Sequence, residues 1–334
     1  MAEQPFRWGI LSAANIARRR FVPGVQAGSE GVVAAVAARD VDRARAFAAE
    51  LGIPRAYGSY EELLADPEID GVYIGLPNLL HTEWTVKAAA AGKHVLCEKP
   101  LSRRLADVEQ MAAACSSAGV LLMEAFMFRH HPQHARVREL VAAGAIGEPA
   151  FVRASFAFAM PPARRAIPDV RVQADLDGGA FMDVGCYPLN AARFLFDAEP
   201  VEVTAIQRKD PDLGVDTSFA AVARFPGDRL ALLDGSFDAS GPTRYEMTGF
   251  SGSIIVEKAY QPERLPAEIT IVRGSDRQTE QIAGADQYGL EADHFARSVR
   301  AGRLLAPAED GLAQARALEA LYRSAETGQA VRLA

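Results

Sequence analysis

The tripeptide Glu98-Lys99-Pro100 directly follows a short apolar run, residues 94–97, and supplies a side chain that can move a proton. A run that is apolar on both faces and follows a helix is typical of a buried parallel strand. Ligands of open α/β sheets bind just outside the carboxyl ends of such strands, and burial there can lower the pKa of a lysine enough for proton transfer near neutrality. The sequence therefore predicts that Lys99 faces a ligand, with a surface Lys-Pro turn as the alternative.

A second group of polar residues lies in the glycine-containing segment 178–188. If this segment is helical, Asp183 and Tyr187 are four residues apart and share one face of the helix. A carboxylate and a phenol on one face can orient each other and an incoming polar group. The alternative is a helix that starts at glycines and carries a core tyrosine, with Pro188 kinking or restarting it.

The N-terminal segment 9–17 has the order of a dinucleotide-binding turn, in which a strand is followed by small residues and then by a helix. Gly9 is present, but the residues from Ser12 to Asn15 replace the later glycines of that fingerprint. Small residues still allow backbone N–H groups to approach a pyrophosphate at a helix N-terminus. The residues predicted to line this site are Gly9, Ser12, Ala13, Ala14, Asn15 and Ile16.

The end of the second predicted strand indicates which cofactor binds. An NAD site places an acid there to hold the ribose 2′-hydroxyl, whereas a 2′-phosphate needs a cation. The strand ends in Ala38, Arg39 and Asp40, and Arg43 lies one turn into the next helix. Two guanidinium groups can grip a phosphate, since each binds phosphate oxygens in a fork. This favours NADP(H) over NAD(H), the alternative being two solvated arginines beside an Asp40 helix cap.

Length and composition limit the possible partners. A chain of 334 residues suggests two domains, and 49% hydrophobic with 24% charged residues is typical of a soluble globular protein. A net charge of −7 argues against a nucleic-acid partner. The N-terminus has the pattern of neither a signal peptide nor a membrane span, and the three cysteines lack metal-ligand spacing. We therefore expect a cytoplasmic protein that does not bind membranes.

A histidine cluster, formed by His130, His131 and His134, is the strongest candidate for a metal site. No nearby pair combines helical metal spacing with a carboxylate, which zinc sites of this kind use. We interpret the cluster as the entry to a helix and predict no bound metal.

Strands and helices alternate over residues 1–124, and these elements position the residues described above. Apolar strands separated by single helices predict a doubly wound parallel sheet, that is, a Rossmann domain. Within it, Ser59 and Glu62 form a predicted capping box. From residue 125 onwards, alternating strands and a Pro-Gly-Asp hairpin turn at 226–228 predict an α+β domain, residues 125–334, with a large, mostly antiparallel open sheet. The helix over 309–325 cannot be placed from sequence.

The segments described above, together with residues 124–129, occur in the order seen in the Gfo/Idh/MocA oxidoreductases, which the chain resembles over almost its whole length. Within that family it is similar to NADP-linked sugar dehydrogenases, dihydrodiol dehydrogenases and sugar 3-ketoreductases. The resemblance implies that Lys99 is the acid/base, that Asp183 is the motif aspartate, and that Tyr187 stands where this subgroup carries tyrosine. It also implies cofactor contacts for Leu76, Pro77, Asn78, His81, Glu98, Lys99 and Arg171, although His81 can also be a packed helix histidine.

These observations predict an NADP(H)-dependent oxidoreductase that moves a hydride between nicotinamide and a secondary alcohol or ketone of a sugar-like substrate. The alternatives are a trans-dihydrodiol dehydrogenase, a glycosidase that retains its NAD, and a non-catalytic ligand-sensing protein on the same fold. A site for sugar hydroxyls needs many hydrogen-bonding groups, and an aromatic diol needs an apolar slot. Candidates for the first are Asp183, Tyr187, Arg171, Gln173 and Asn190, and for the second Phe126, Phe128, Phe156 and Phe158.

The open face of the predicted antiparallel sheet suggests a homodimer or homotetramer. Such a sheet covers one face with helices and leaves the other available. Ala221, Ala223 and Leu232 make it more apolar than a solvated face needs to be.

Overall fold

A six-stranded parallel sheet forms the first part of the fold in the computed structural model, which describes residues 4–161, 163, 169–262, 264–305 and 310–333. Neighbouring strands in the order β3-β2-β1-β4-β5-β6 are all parallel, as expected for a Rossmann sheet. The strands are β1 (Phe6–Leu11), β2 (Gly31–Ala37), β3 (Arg55–Tyr57), β4 (Gly71–Ile74), β5 (His94–Glu98) and β6 (Leu122–Ala125).

Helices cover both faces of this sheet, and local caps define their ends. Asp40 accepts a hydrogen bond from the backbone N–H of Arg43 at the start of the second helix, and Gly52 ends that helix in the left-handed conformation. The predicted capping box is confirmed, since Ser59 Oγ accepts from the N–H of Glu62. The helices are α1 (Val22–Ala27), α2 (Val41–Leu51), α3 (Tyr60–Leu64), α4 (His81–Ala90) and α5 (Leu105–Ala118).

A helix from far along the chain completes this first unit. The described parts of Met1–Ser102, Ala106–His130 and Asp286–Leu312 form one unit, and the remaining described residues form the second. Helix α8 (Gln287–Arg300) lies in the first, where Phe295 contacts the rings of Phe6 and Trp8. From the sequence, residues 125–334 were predicted to form the second domain as one continuous segment. The predicted segment therefore includes α8, which belongs to the first unit. Periodicity in the sequence indicates that this helix forms, but it does not indicate which apolar surface the helix covers.

The second unit is built on a nine-stranded sheet with the order β14-β13-β12-β11-β7-β10-β9-β8-β15. All neighbouring pairs are antiparallel except β7 with β10, so the sheet is mostly antiparallel, as predicted. Its strands are β7 (Pro149–Ala157), β8 (Glu202–Lys209), β9 (Asp216–Arg224), β10 (Leu230–Ser236), β11 (Thr243–Gly249), β12 (Gly252–Val256), β13 (Ala267–Arg273), β14 (Asp276–Ile282) and β15 (Val331–Arg332).

Three further helices alternate with these strands along the chain. They are α6 (Pro132–Ala142), which precedes β7, α7 (Cys186–Phe196), between β7 and β8, and α9 (Gly311–Thr327), which precedes β15. Because side chains alternate along a strand, one face of the sheet is buried and the other exposed. Ala221 and Ala223, which the sequence analysis placed on the open face, are buried, whereas Val222 and Leu232 are exposed. Ile206, at 69% exposure, extends the exposed apolar set on β8.

Candidate functional site

The turn after β1 has the small-residue character expected of a pyrophosphate site. Ser12 has a φ of 109°, a conformation that glycine adopts more readily, and its backbone N–H donates to the Ala37 carbonyl at 3.1 Å. A Cβ on Gly9 would approach Leu63 Cδ2 to 2.6 Å, so a larger residue here would require the Leu63 side chain to shift. The chain then enters a π-helical turn, Ala17–Phe21, before α1, where the sequence predicted one regular helix over 16–27.

Both arginines after β2 are exposed, and Asp40 between them is occupied as a helix cap. The guanidinium of Arg43 donates to the Ala13 carbonyl at 3.2 Å, which ties it to the turn after β1. Asp40 therefore caps α2, and Arg39 and Arg43 remain exposed on either side of it.

Tyr60 is a residue of this region that the sequence analysis missed. Burial raises the pKa of its phenol, whereas the positive charges of Arg39 and Arg43 and a hydrogen bond with the Ser12 side chain lower it. The phenol therefore lies beside Ser12, in the turn after β1, and the charges of both guanidinium groups act on it. The sequence shows that Tyr60 begins the helix after the Ser59 cap, but the position of its phenol relative to the arginines depends on the tertiary structure.

Lys99 directly follows the carboxyl end of β5 and is half-buried. The preceding Glu98 accepts a hydrogen bond from the Tyr73 hydroxyl at 2.5 Å. Tyr73 is fully buried, and the pKa of its phenol is raised well above the usual value. Burial is the main cause, and the negative charge of Glu98 adds to it. The phenol therefore remains a hydrogen-bond donor, and it fixes the residue next to the lysine.

His81 connects the loops that follow β4 and β5. It is fully buried, with Nδ1 3.0 Å from the Pro100 carbonyl and Nε2 2.9 Å from the Leu76 carbonyl. Burial is the main reason that its pKa is lowered. This arrangement matches the packed-histidine alternative, in which His81 holds the loop of Pro77 and Asn78 rather than contacting a ligand itself.

Asp183 and Tyr187 occur in one continuous helical segment, but not in one regular α-helix. Asp183 lies in a π-helical turn, Phe181–Gly185, and Tyr187 in the first turn of α7. The two residues remain four apart, and the π-helical turn changes only the angle between them from that of the regular α-helix that the prediction assumed. Asp183 is half-buried, whereas Tyr187 is buried and packs its ring 5.2 Å from that of Phe156.

Arg171 lies in the same unit as Asp183. Its guanidinium forms a two-pronged contact with Asp169, at 2.9 and 2.6 Å, and lies 3.9 Å from Asp183. The hydrogen bond that Arg171 donates to Asp169 is the main cause that raises the pKa of Arg171. Its guanidinium also lies 5.8 Å from the ring centre of Phe158. The second unit thus brings together a cation, a carboxylate and an aromatic ring.

Several predicted lining residues are buried instead. Asn190 is fully buried and donates to Gln314 at 3.4 Å, so it supports the packing of α7. Of the four phenylalanines proposed for an apolar slot, Phe126, Phe128 and Phe156 belong to the buried core, and Phe158 alone is partly exposed.

The histidine cluster has structural roles. His131 caps α6, and burial lowers its pKa to about 4, so it caps as a neutral ring. His134 is hydrogen-bonded to the Tyr245 hydroxyl and the Ala259 carbonyl, both at 2.8 Å. Among the described residues, no group of three or more metal-ligating side chains is arranged to hold an ion. Over the same part of the chain, none of the helices has the length and hydropathy needed to cross a bilayer.

Two protein families match consecutive parts of this chain. Residues 6–126 match the family described as an oxidoreductase family with an NAD-binding Rossmann fold. Residues 134–255 match the GFO/IDH/MocA C-terminal domain.

Individual relatives match almost the whole chain. D-xylose 1-dehydrogenase (NADP(+)) 2 of Haloferax volcanii is 42% identical, over 98% of this chain and 99% of the relative. Trans-1,2-dihydrobenzene-1,2-diol dehydrogenase of Xenopus tropicalis is 35% identical over 81% of this chain and 80% of its own. Among solved structures, a 3-ketoreductase from Actinomadura kijaniata, in complex with NADP and TDP-benzene, is 34% identical with a TM-score of 0.89, over 96% of this chain and 98% of that one.

Proposed function

The chain belongs to the Gfo/Idh/MocA oxidoreductases, and from that premise we propose that it transfers a hydride between NADP(H) and a secondary alcohol or ketone of a sugar-like substrate. The observation that carries this proposal is that Arg39 and Arg43 are exposed just after β2 ends, and that Arg43 donates to the Ala13 carbonyl in the turn after β1. In an oxidoreductase of this fold, the carboxyl edge of the parallel sheet binds the dinucleotide.

The residues present fit NADP(H). Two accessible guanidinium groups and a phenol offer charge-assisted hydrogen bonds to a 2′-phosphate, and the residue before Arg39 is an alanine rather than an acid. The small residues from Ser12 to Asn15 allow backbone N–H groups to approach the pyrophosphate. When bound, the nicotinamide donates or accepts the hydride.

Lys99 is the proposed acid/base. Its ammonium gives a proton to the substrate oxygen during reduction, and the neutral amine takes it back during oxidation. Tyr187 is proposed to hydrogen-bond the same oxygen, and Asp183 to orient the substrate hydroxyls. A cationic and a phenolic donor together stabilise the negative charge that develops on that oxygen.

A sugar-like substrate is favoured over an aromatic diol by the side chains of the second unit. Asp183, Arg171 and Gln173 are at least partly exposed polar groups, whereas Phe158 is the one partly exposed ring among the four proposed for an apolar slot. A site that pairs hydroxyl groups discriminates against substrates that lack them. The xylose dehydrogenase among the relatives acts on such a substrate.

The direct test is a substrate panel of aldoses, keto-sugars and dihydrodiols, assayed with NADP(H) and NAD(H) through nicotinamide absorbance. We expect turnover of at least one sugar, with NADP(H) preferred. Turnover of dihydrodiols with every sugar inert would overturn the substrate class. Glycoside hydrolysis without a net change in absorbance would identify a glycosidase that retains its cofactor.

We also propose that the chain forms a homodimer or homotetramer in the cytoplasm, with no nucleic-acid or membrane partner. The exposed apolar side chains of Ile206, Val222 and Leu232 lie on one face of neighbouring strands, where a second copy would bury them. Light scattering should give a multimer at micromolar concentration, and Val222→Glu should shift it toward the monomer. A monomeric unaltered protein would overturn this proposal.

A further inference from the structure

Asp216 is a buried carboxylate in the second unit that has no part in the proposed chemistry. It lies at the start of β9 and is 3% exposed. Its Oδ2 accepts a hydrogen bond from the backbone N–H of Phe181 at 2.6 Å, and its Oδ1 accepts one from the Tyr322 hydroxyl at 3.2 Å. These contacts join a strand, the π-helical turn and α9 at a single side chain.

The chain before Phe181 is shaped around this carboxylate. Gly179 has a φ of 130°, and a Cβ at that position would lie 2.3 Å from Asp216 Oδ1. The preceding loop is closed by backbone hydrogen bonds from Gly178 to Gln173 and from Gly179 to Arg171, at 2.9 and 2.8 Å. The glycine is therefore needed so that the backbone can pass directly against Asp216.

The carboxylate binds the first residue of the π-helical turn. The N–H of Phe181 is one of the first N–H groups of the helical segment, which lack partners within a helix. By binding it, Asp216 fixes the first residue of a segment that presents Asp183 two residues later. A buried charge-assisted hydrogen bond is a strong constraint on backbone position.

Charged and polar groups around Asp216 maintain it as an acceptor. Burial raises its pKa, and the hydrogen bonds from Phe181 and Tyr322 oppose that rise, with a smaller contribution from the positive charge of Arg103. The guanidinium of Arg103 lies 4.5 Å from the centre of the Tyr322 ring, so it also restrains the phenol that donates to the carboxylate.

We propose that Asp216 is a positioning residue of the substrate site, which holds the backbone at Phe181 and thereby places Asp183 and Tyr187 for their work. This inference rests on the proposed roles of those two residues. It assigns to Asp216 an effect on turnover without contact with substrate or cofactor.

The test compares Asp216→Ala, Asp216→Asn and Tyr322→Phe in the full-length protein, with kcat and KM measured at saturating NADPH and the Kd of NADPH measured separately. Alanine removes both acceptors, and we expect kcat/KM to fall about 10²-fold with the NADPH Kd unchanged, since small displacements of reacting groups cost that much. Asp216→Asn should retain most of the kcat/KM of the unaltered protein, because the asparagine carbonyl can accept from the Phe181 N–H and its amide can donate to the Tyr322 hydroxyl oxygen. Tyr322→Phe should cost about two- to tenfold, in line with the loss of one long hydrogen bond while Asp216 still accepts from Phe181.

Thr217→Val is the matched control. Thr217 is the next residue on β9, is equally buried, and donates to Asp238 at 2.6 Å. This variant loses a buried hydrogen bond without touching Phe181, so it should lower the Tm while keeping kcat/KM. Equal losses of kcat/KM in Thr217→Val and Asp216→Ala, or full activity in a folded Asp216→Ala, would overturn the inference.

Hydrogen exchange separates this inference from the proposed function. The Phe181 amide should be protected in the unaltered protein and exchange faster in Asp216→Ala, whatever substrate the enzyme uses. If the unaltered protein turns over no sugar or diol, the proposed function fails. The exchange measurement would still support or refute the inference that Asp216 holds the backbone at Phe181. Equal exchange in both proteins would refute it.

Discussion

The two groups of proposed catalytic residues are held in place by different means. Lys99 follows directly from β5, and the register of a parallel sheet sets its position. Asp183 lies on a π-helical turn between a glycine loop and α7, and the buried side chain of Asp216 fixes that turn. Around Lys99, the side chains Tyr73 and His81 add hydrogen bonds to a backbone that the sheet already orders.

Substitutions in the two regions should therefore have different effects on stability and activity. A strand end is ordered by many backbone hydrogen bonds, so a change at Lys99 removes chemistry and leaves the structure intact. A loop ordered by a few buried polar contacts loses its geometry when one of them is removed. Stability and activity should therefore separate in the first region and change together in the second.

Lys99→Met should produce the largest effect. We expect kcat to fall about 10²–10⁴-fold, the contribution of a positioned acid/base, while the Tm and the NADPH Kd stay nearly constant. Lys87→Met, at a surface lysine paired with Glu61 and Glu83, is the matched control and should keep full activity. A near-normal kcat for Lys99→Met at every pH would remove Lys99 from the mechanism.

Gly179→Ala should lower activity and stability together. The new Cβ would clash with Asp216, and we expect kcat/KM to fall about 10²-fold. Gly214→Ala is the control, because Gly214 also has a positive φ, of 70°, but its Cβ would meet nothing closer than 3.7 Å. Its cost should be limited to the backbone strain of about 1–2 kcal/mol, read as a lower Tm. Equal kinetic losses in both variants would show that strain alone, and not the contact with Asp216, explains the effect.

Arg39→Ala should weaken NADPH binding about tenfold or more, since a charge-assisted hydrogen bond contributes about 1.5–3 kcal/mol. NADH binding should stay unchanged because NADH lacks the 2′-phosphate. Arg45→Ala, on the exposed side of α2 and paired with Asp42, serves as the control. Binding titrations that show tighter NADH than NADPH in the unaltered protein would contradict the cofactor assignment.

Tyr60→Phe should have the smallest effect, a two- to tenfold rise in the NADPH Kd from the loss of one neutral donor. The ring would keep its packing against Trp84, where the centroids are 4.7 Å apart, so the Tm should hold. An NADPH Kd that does not change would place Tyr60 outside the phosphate site and leave it a packing residue.

The sequence could predict the parts of the fold whose causes are local. Apolar runs separated by single helices identified the parallel sheet, and the Ser59 cap and the position of Lys99 after β5 were readable because each depends on neighbouring residues. The motif order also identified the family. Residues such as Asn190 and Phe126 were assigned to a crevice incorrectly, because residue type does not report which way a side chain points.

By itself, the sequence determined the fold class, the family and the residues able to do chemistry, since periodicity and motif order are properties of the chain. Tertiary structure alone decided what surrounds those residues. It placed the Tyr60 phenol where the charge of Arg39 acts on it, placed α8 in the first unit, turned Ala221 inward and Val222 outward, and set Asp216 against Phe181. Each of these depends on contacts between residues far apart in the chain, which are set by packing and burial and not by local propensity.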